Sequence, residues 1–96
     1  MKHIKLTQHE NGKLTEVKIG KIVLYFSYET VVAFYDYNTH QQVVSENIWT
    51  NTTGKHLNAI DGGNKKSRVE HDTFLKLLEN ATDPDNRVRR RLGKAI

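Results

Sequence analysis

The run TTGKHLN, Thr52 to Asn58, gathers hydroxyl, glycine, lysine and histidine residues within a short stretch. Its glycine and lysine suggest a phosphate-binding loop. A Walker loop, however, requires a glycine five residues before Gly54 and a serine or threonine after Lys55, and those places hold Trp49 and His56. The functional hypothesis that remains is a modest anion site, in which Lys55 and free backbone N–H groups at a helix start bind the anion. The structural alternative is a capped helix with a solvated lysine.

Basic residues provide the second candidate chemistry. Residues 1–80 hold ten lysines and arginines against nine acids, whereas residues 81–96 hold five against two, so the positive charge is concentrated at the C-terminus. A basic cluster of this kind could neutralise phosphates and bind nucleic acid without reading its sequence. The alternative is a solvated terminus. The candidate nucleic-acid-binding residues are Lys55, His56, Lys65, Lys66, Arg68, Arg87, Arg89, Arg90 and Arg91.

Aromatic residues provide a third candidate site, for a protein partner. Trp49 is the only tryptophan, and Tyr35 and Tyr37 lie in a segment rich in β-branched and aromatic residues. Exposed rings of this kind commonly anchor a partner or stack on a base. The structural alternatives are that Trp49 fills the corner between the last strand and the first helix, and that the tyrosines pair across strands.

Catalytic and metal-binding patterns find little support. The chain has no cysteine, and its five histidines show no spacing typical of metal ligands. Ser27, Ser45 and Ser67 lie in no nucleophile-elbow motif. We therefore expect no enzymatic activity, no metal and no cofactor.

Extended segments dominate the first half of the chain. Apolar and polar residues alternate at the start, and Asn11-Gly12 is a strong hairpin signal. Later segments are rich in β-branched and aromatic residues. The pattern predicts four or five antiparallel strands in a meander, over Ile4–Gln8, Leu14–Ile19, Lys21–Tyr28, Thr30–Tyr37 and Gln42–Trp49.

Helices are predicted in the second half. A short helix over Thr53–Ile60 follows capping residues at Asn51, Thr52 and Thr53. A second helix over His71–Ala81 carries an apolar stripe that should cover one face of the sheet. That stripe contains Phe74, Leu77, Leu78 and Ala81. The intervening Lys65–Val69 could form a short edge strand.

Three segments carry a family resemblance: YFSYETVVAFYDY, VVSENIWTNTTGKHLNAID and KSRVEHDTFLKLL. Together they resemble a family of small uncharacterised proteins of bacteriophages and other mobile elements. Its pattern includes Ser-Glu-Asn-x-Trp followed by Thr-Thr-Gly-Lys-His-Leu-Asn. The similarity covers about residues 20–80. It implies a small domain of one sheet and helices, and it implies no activity.

The sequence therefore predicts one α+β domain over residues 1–82 and a basic C-terminal tail over residues 83–96, which could be helical. No segment has the length and hydrophobicity of a membrane span, and no signal peptide is visible, so we expect a cytoplasmic protein without membrane contact. Three functional hypotheses remain. The first is a non-enzymatic phage or mobile-element accessory protein that binds nucleic acid. The second is an inhibitor or modulator that binds a host or phage protein. The third is a homo-oligomeric structural module with strands paired edge to edge.

Overall fold

Five antiparallel strands form one open sheet in which each strand pairs with its neighbour in the chain. The computed structural model describes residues 4–9 and 13–82. It confirms the predicted α+β fold and the meander, although the Asn11-Gly12 turn and the tail over residues 83–96 lie outside the described residues. The strands are β1 (Ile4–His9), β2 (Leu14–Ile19), β3 (Ile22–Ser27), β4 (Thr30–Asp36) and β5 (Gln41–Val44).

Tight turns connect the inner strands. Gly20 has a φ of 60° at the turn from β2 to β3, a conformation that glycine adopts without a steric penalty. Tyr28 has a φ of 56° at the turn from β3 to β4, and its N–H donates to the Lys13 carbonyl at 2.7 Å. These turns are too short for a crossover, so the strands must run antiparallel.

Two helices cover opposite faces of the sheet. They are α1 (Asn51–Asp61) and α2 (His71–Thr82). Leu57 of α1 packs against Ala33 and Val44, whereas Phe74 of α2 packs against Phe34. Ala33 and Phe34 are adjacent in β4, and adjacent strand residues face opposite sides of the sheet. Each helix therefore has its own hydrophobic cluster.

The prediction that α2 covers one face of the sheet is confirmed, and α1 covers the other face. β4 contains three consecutive buried residues, Val32, Ala33 and Phe34, as expected for a strand covered on both sides. The pairing of β3 with β4 shifts between Tyr25, which faces Ala33, and Phe26, which faces Val31, so Val32 is the extra residue of a β-bulge in β4. The bulge explains how Val32 joins Ala33 in the cluster of α1.

Three other predictions need correction. The last strand ends at Val44 rather than Trp49. The segment predicted as an edge strand, Lys65–Val69, instead contains a short 3-10 helix, Lys65–Ser67, and one parallel bridge between Ser45 and Val69. Within α2, Phe74 is buried but Leu77 is 38% exposed. Phe74, Leu78 and Ala81 follow the i, i+4, i+7 line that faces the sheet, and Leu77 lies on the flank of that line.

Within the described part of the chain, no helix is both long enough and apolar enough to cross a membrane.

Candidate functional site

The loop between β5 and α1 is held by the side chain of Asn47. Its Oδ1 accepts a hydrogen bond from the Trp49 N–H at 2.9 Å, and its Nδ2 donates to the Thr50 carbonyl at 3.1 Å. Thr50 is the N-cap of α1, because its Oγ1 accepts from the Thr53 N–H at 3.4 Å. The helix thus begins earlier than predicted, and its cap is neither Asn51, Thr52 nor Thr53.

Gly54 has a steric role in this arrangement. A Cβ atom built on Gly54 would lie 3.0 Å from Asn47 Nδ2, closer than most Cβ contacts in proteins. Glycine at this position therefore lets the loop approach the first turn of α1, a role that differs from that of a phosphate-loop glycine.

The inward face of α1 carries the hydroxyl and imidazole groups of the TTGKHLN run. Ser27 of β3 lies between them, with its Oγ 3.1 Å from Thr53 Oγ1 and 2.7 Å from His56 Nδ1. Ser27, Thr53 and His56 are all buried, and the His56 side chain is packed beside the Tyr28 ring at 5.8 Å between centroids. His56 therefore joins the helix to the sheet, and its ring is buried.

The outward face of α1 borders an open polar cavity of about 480 Å³. Its other walls are the loop after β5 and the 3-10 helix, and three amides, three cations and one carboxylate contribute to its lining. The lining residues are Glu46, Asn47, Asn51, Gly54, Lys55, Asn58, Lys65 and Arg68. The tertiary structure thus brings Lys55, Lys65 and Arg68, three of the predicted phosphate-binding residues, to one cavity.

A bidentate ion pair fixes one wall of this cavity. Arg68 Nε donates to Asp61 Oδ2 at 2.7 Å, and its NH2 group donates to Asp61 Oδ1 at 3.1 Å and to Asn58 Oδ1 at 2.9 Å. The side chains of Arg68 and Asp61 are only 5% and 4% exposed. Such geometry orients the guanidinium before any ligand arrives.

The charge of Asp61 is stabilised in this position. Burial acts to raise the pKa of the carboxyl, but hydrogen bonds from Arg68 and from the Gly63 N–H outweigh it, so the pKa lies below its ordinary value of 3.8. Asp61 is therefore ionised throughout the physiological range and keeps Arg68 in place.

Trp49 occupies the corner between β5 and the helices. It is partly buried against the cluster of Val32, Ala33, Val44 and Leu57. Its ring meets the His71 ring edge-on, with 5.1 Å between centroids, and His71 Nδ1 lies 3.0 Å from Ser45 Oγ. This arrangement agrees with the structural interpretation of Trp49 as a packing residue.

Tyr35 and Tyr37 lie away from the cavity. Their rings contact each other edge-on at 4.7 Å between centroids, and Lys18 Nζ lies 4.9 Å from the centre of the Tyr37 ring. Tyr37 is 43% exposed. The two candidate groups, aromatic and basic, therefore form separate surfaces.

The remaining basic candidates do not join the cavity. Lys66 is exposed but is not part of the lining, and Arg87, Arg89, Arg90 and Arg91 lie outside the described residues. In the described ranges, no group of three or more histidine and acidic residues could hold a metal ion.

Sequence reasoning missed the residues that organise the cavity, namely Asn47, Asn58 and Asp61. One signal was present: Asp61 and Arg68 are opposite charges on either side of a Gly-Gly turn. The asparagines had no signal, because their roles depend on loops that meet only in the folded chain.

Comparison with known proteins identifies a family but no activity. No curated protein and no solved structure matches this chain. A family model described as a family of unknown function, DUF8033, matches residues 1–76, which include the whole sheet, α1 and half of α2. The chain therefore belongs to the DUF8033 family.

Proposed function

We propose that this protein binds nucleic acid through phosphate groups that enter the cavity beside α1. The observation that carries the proposal is the convergence of Lys55, Lys65 and Arg68 on one open polar cavity. These residues come from α1, the 3-10 helix and the segment after it, so only the fold brings them together. Clustered cations that can reach the same phosphate groups are the usual basis of backbone recognition.

Hydrogen-bond donors of fixed orientation support a phosphate as the ligand. Arg68 is held by Asp61 and also donates to Asn58 Oδ1. Because this oxygen is occupied, the Asn58 amide nitrogen is the group that can donate to a ligand. Asn47 and Asn51 add further amide groups to the lining. Phosphate oxygens are strong acceptors, and donors that need no reorganisation bind them at a lower entropic cost.

The charge balance predicts modest affinity. Lys55, Lys65 and Arg68 contribute three positive charges, and Glu46 and Asp61 contribute two negative charges, which leaves a net of one. Arg68 is largely neutralised by Asp61, so the two lysines should account for most counterion release. The cavity should then contribute about −1.8 to the salt slope for duplex DNA, about 0.9 for each of two phosphates.

The contacts should be independent of base sequence. Phosphate contacts position a protein on nucleic acid, whereas specificity requires contacts with base edges. The basic tail residues Arg87, Arg89, Arg90 and Arg91 stay a predicted addition to the same binding. A phage origin and a cytoplasmic location also stay predictions.

The proposal is tested by fluorescence anisotropy with labelled duplex and single-stranded oligonucleotides. The salt concentration is varied over about 25–200 mM, roughly one decade. The variant Lys55→Gln/Lys65→Gln should bind more weakly and should lower the salt slope by about 1.8, the share of the two lysines. Lys21→Gln/Lys76→Gln is the matched control, because it removes the same charge from exposed positions outside the cavity lining. Equal losses in the two variants, or no binding by the natural protein, would contradict the proposal.

A separate variant tests the tail. Replacing Arg87, Arg89, Arg90 and Arg91 by glutamine in the full chain removes four charges while leaving the cavity unchanged. If both regions contact phosphates, this variant and the cavity variant should each lower the salt slope, and their effects should add. An unchanged slope would remove the tail from the binding surface.

A further inference from the structure

The outer edge of β1 has no partner within the described part of the chain. β1 is the first strand in the sheet order and pairs only with β2. It is six residues long, contains no proline and is paired in register along its whole length. An edge strand of this kind presents free N–H and C=O groups to another strand.

The hydrogen-bond pattern between the strands identifies which backbone groups of β1 face outward. The Tyr28 N–H donates to the Lys13 carbonyl, so Lys13 directs its backbone groups towards β3. Because this direction alternates along a strand, Leu14, Glu16 and Lys18 direct theirs towards β1. Their partners are His9, Thr7 and Lys5. The residues whose backbone groups face outward are therefore Ile4, Leu6 and Gln8.

Two of these outward-bonding residues also expose apolar side chains. Ile4 is 65% exposed and Leu6 is 58% exposed. They lie opposite Ile19 and Val17 of β2, on the same face of the sheet as Leu24, which packs on the cluster of α2. The apolar face thus continues from the core of α2 to the sheet edge, where it meets water.

We propose that this edge binds a second copy of the chain, with the two β1 strands antiparallel and Leu6 on the two-fold axis. Leu6 then faces Leu6 of the second copy, and Ile4 faces Gln8. All three outward-bonding residues form hydrogen-bonded pairs, three pairs with two bonds each, or about six bonds. A register centred on Thr7 would form only two such pairs within the described strand. The dimer extends the sheet across the axis, and it is independent of the cavity beside α1.

Charge complementarity favours a second copy as the partner. Within one chain Lys5 lies directly opposite Lys18, a like-charge pair that is unfavourable, while Thr7 lies opposite Glu16. In the proposed register Lys5 faces Thr7 of the second copy, with Glu16 of that copy on the next strand. At about 4.8 Å per strand, the Cα atoms of Lys5 and that Glu16 are roughly 10 Å apart, within reach of their two side chains. An edge lysine normally discourages strand pairing, and here it gains a second carboxylate beside Glu16 of its own chain, its diagonal neighbour across β2.

Cysteine cross-linking tests the register. The natural chain has no cysteine, so an introduced residue reports one contact. Leu6→Cys should form a disulfide-linked dimer on mild oxidation, because facing Cα atoms of a hydrogen-bonded pair are about 5.5 Å apart, within the range of a disulfide. Gln8→Cys is the matched control, since it occupies the same edge but faces Ile4. Cross-linking that is no faster at Leu6 than at Gln8 overturns the proposed register.

Sedimentation analysis over a concentration series tests the dimer itself. Lys5→Glu should weaken association by about tenfold, because it brings two acids together on each side of the axis. Within the monomer the same change places a carboxylate opposite Lys18 in place of a like charge, which offsets the new diagonal repulsion with Glu16, so a folding defect is not expected. Adding Glu16→Lys should restore association. A natural protein that stays monomeric at millimolar concentration, or a double variant that associates no better than Lys5→Glu, refutes the proposal.

Discussion

Replacing Asp61 by asparagine isolates the charge that holds Arg68 at the cavity wall. The two residues form a bidentate ion pair whose side chains are 4% and 5% exposed. Asparagine has nearly the same shape and keeps an oxygen that can accept from the Gly63 N–H, a bond that is 2.9 Å long with the natural residue. The substitution therefore removes the negative charge and leaves the turn after α1 intact.

The expected loss of stability is large for this protein. Breaking a buried ion pair by removing one partner leaves an uncompensated charge and costs about 3–5 kcal/mol. Because Arg68 keeps its bond with Asn58, we expect a value near the lower end, about 3 kcal/mol. A domain of this size unfolds with about 5–15 kcal/mol in total. Each kcal/mol shifts the Tm of a small domain by about 4–8 °C, so the Tm should fall by at least about 12 °C.

The effect should depend on pH in a defined direction. The pKa of Asp61 is lowered in the folded protein, so between its ordinary value of 3.8 and the lower folded value the unfolded chain binds more protons. The contribution of Asp61 is therefore complete above the unfolded pKa, and it is lost as pH falls through the folded pKa. The difference between the natural protein and Asp61→Asn should be constant near neutrality and should narrow in strong acid.

Thermal and urea unfolding followed by circular dichroism, at pH 7 and in acid, measure both effects. The double variant Asp61→Asn/Arg68→Met is the control, because it keeps the oxygen that accepts from the Gly63 N–H and leaves no unpaired charge, so it should cost much less than Asp61→Asn alone. A shift in Tm of about 1 °C corresponds to only a fraction of a kcal/mol. If the Tm of Asp61→Asn lies within that distance of the natural value, the ion pair is refuted as a stabilising contact. An equal loss in the single and double variants would refute the charge as its cause.

Three further predictions concern the packing. Gly54→Ala should not stabilise α1 despite a gain in helix propensity of about 1 kcal/mol, because its Cβ would lie 3.0 Å from Asn47 Nδ2. In a chain that already carries Asn47→Ala, the same substitution should raise the free energy of unfolding measured in urea. Phe74→Ala should cost about 3–5 kcal/mol in the same assay, whereas Leu77→Ser on the exposed flank should cost under about 1 kcal/mol. Ser27→Ala should cost about 1–3 kcal/mol, since it removes the hydroxyl that bonds the buried imidazole, and a neutral result would mean that water replaces the serine.

Local pattern was sufficient for the elements themselves. Alternation and β-branched residues predicted β1 to β4 to within about two residues, the usual accuracy of such boundaries. The stripe of Phe74, Leu77, Leu78 and Ala81 predicted α2. These features depend on neighbours in the chain, so they can be read before folding. The boundary errors arose where non-local contacts decide, as at Val44, where β5 ends and one bridge to Val69 begins.

The residues of the cavity show why the site was only partly predictable. Residue type identified Lys55, Lys65 and Arg68 as possible phosphate contacts, because charge is a property of each side chain. The same reasoning placed His56 with them, although its ring is buried against Ser27, a residue 29 positions away in the chain. The sequence of α1 alone could not show which of its two sides is buried, since this depends on which side meets the sheet.

The amino-acid sequence by itself determined a meander of four or five strands, two helices and the location of the positive charge, since periodicity and charge are local properties of the chain. Only the tertiary structure decided that α1 and α2 lie on opposite faces, that Lys55 and Arg68 share a cavity, and that Leu6 stays exposed at the sheet edge. The physical reason is that these features require contacts between distant residues, and such contacts form only when the chain packs on itself.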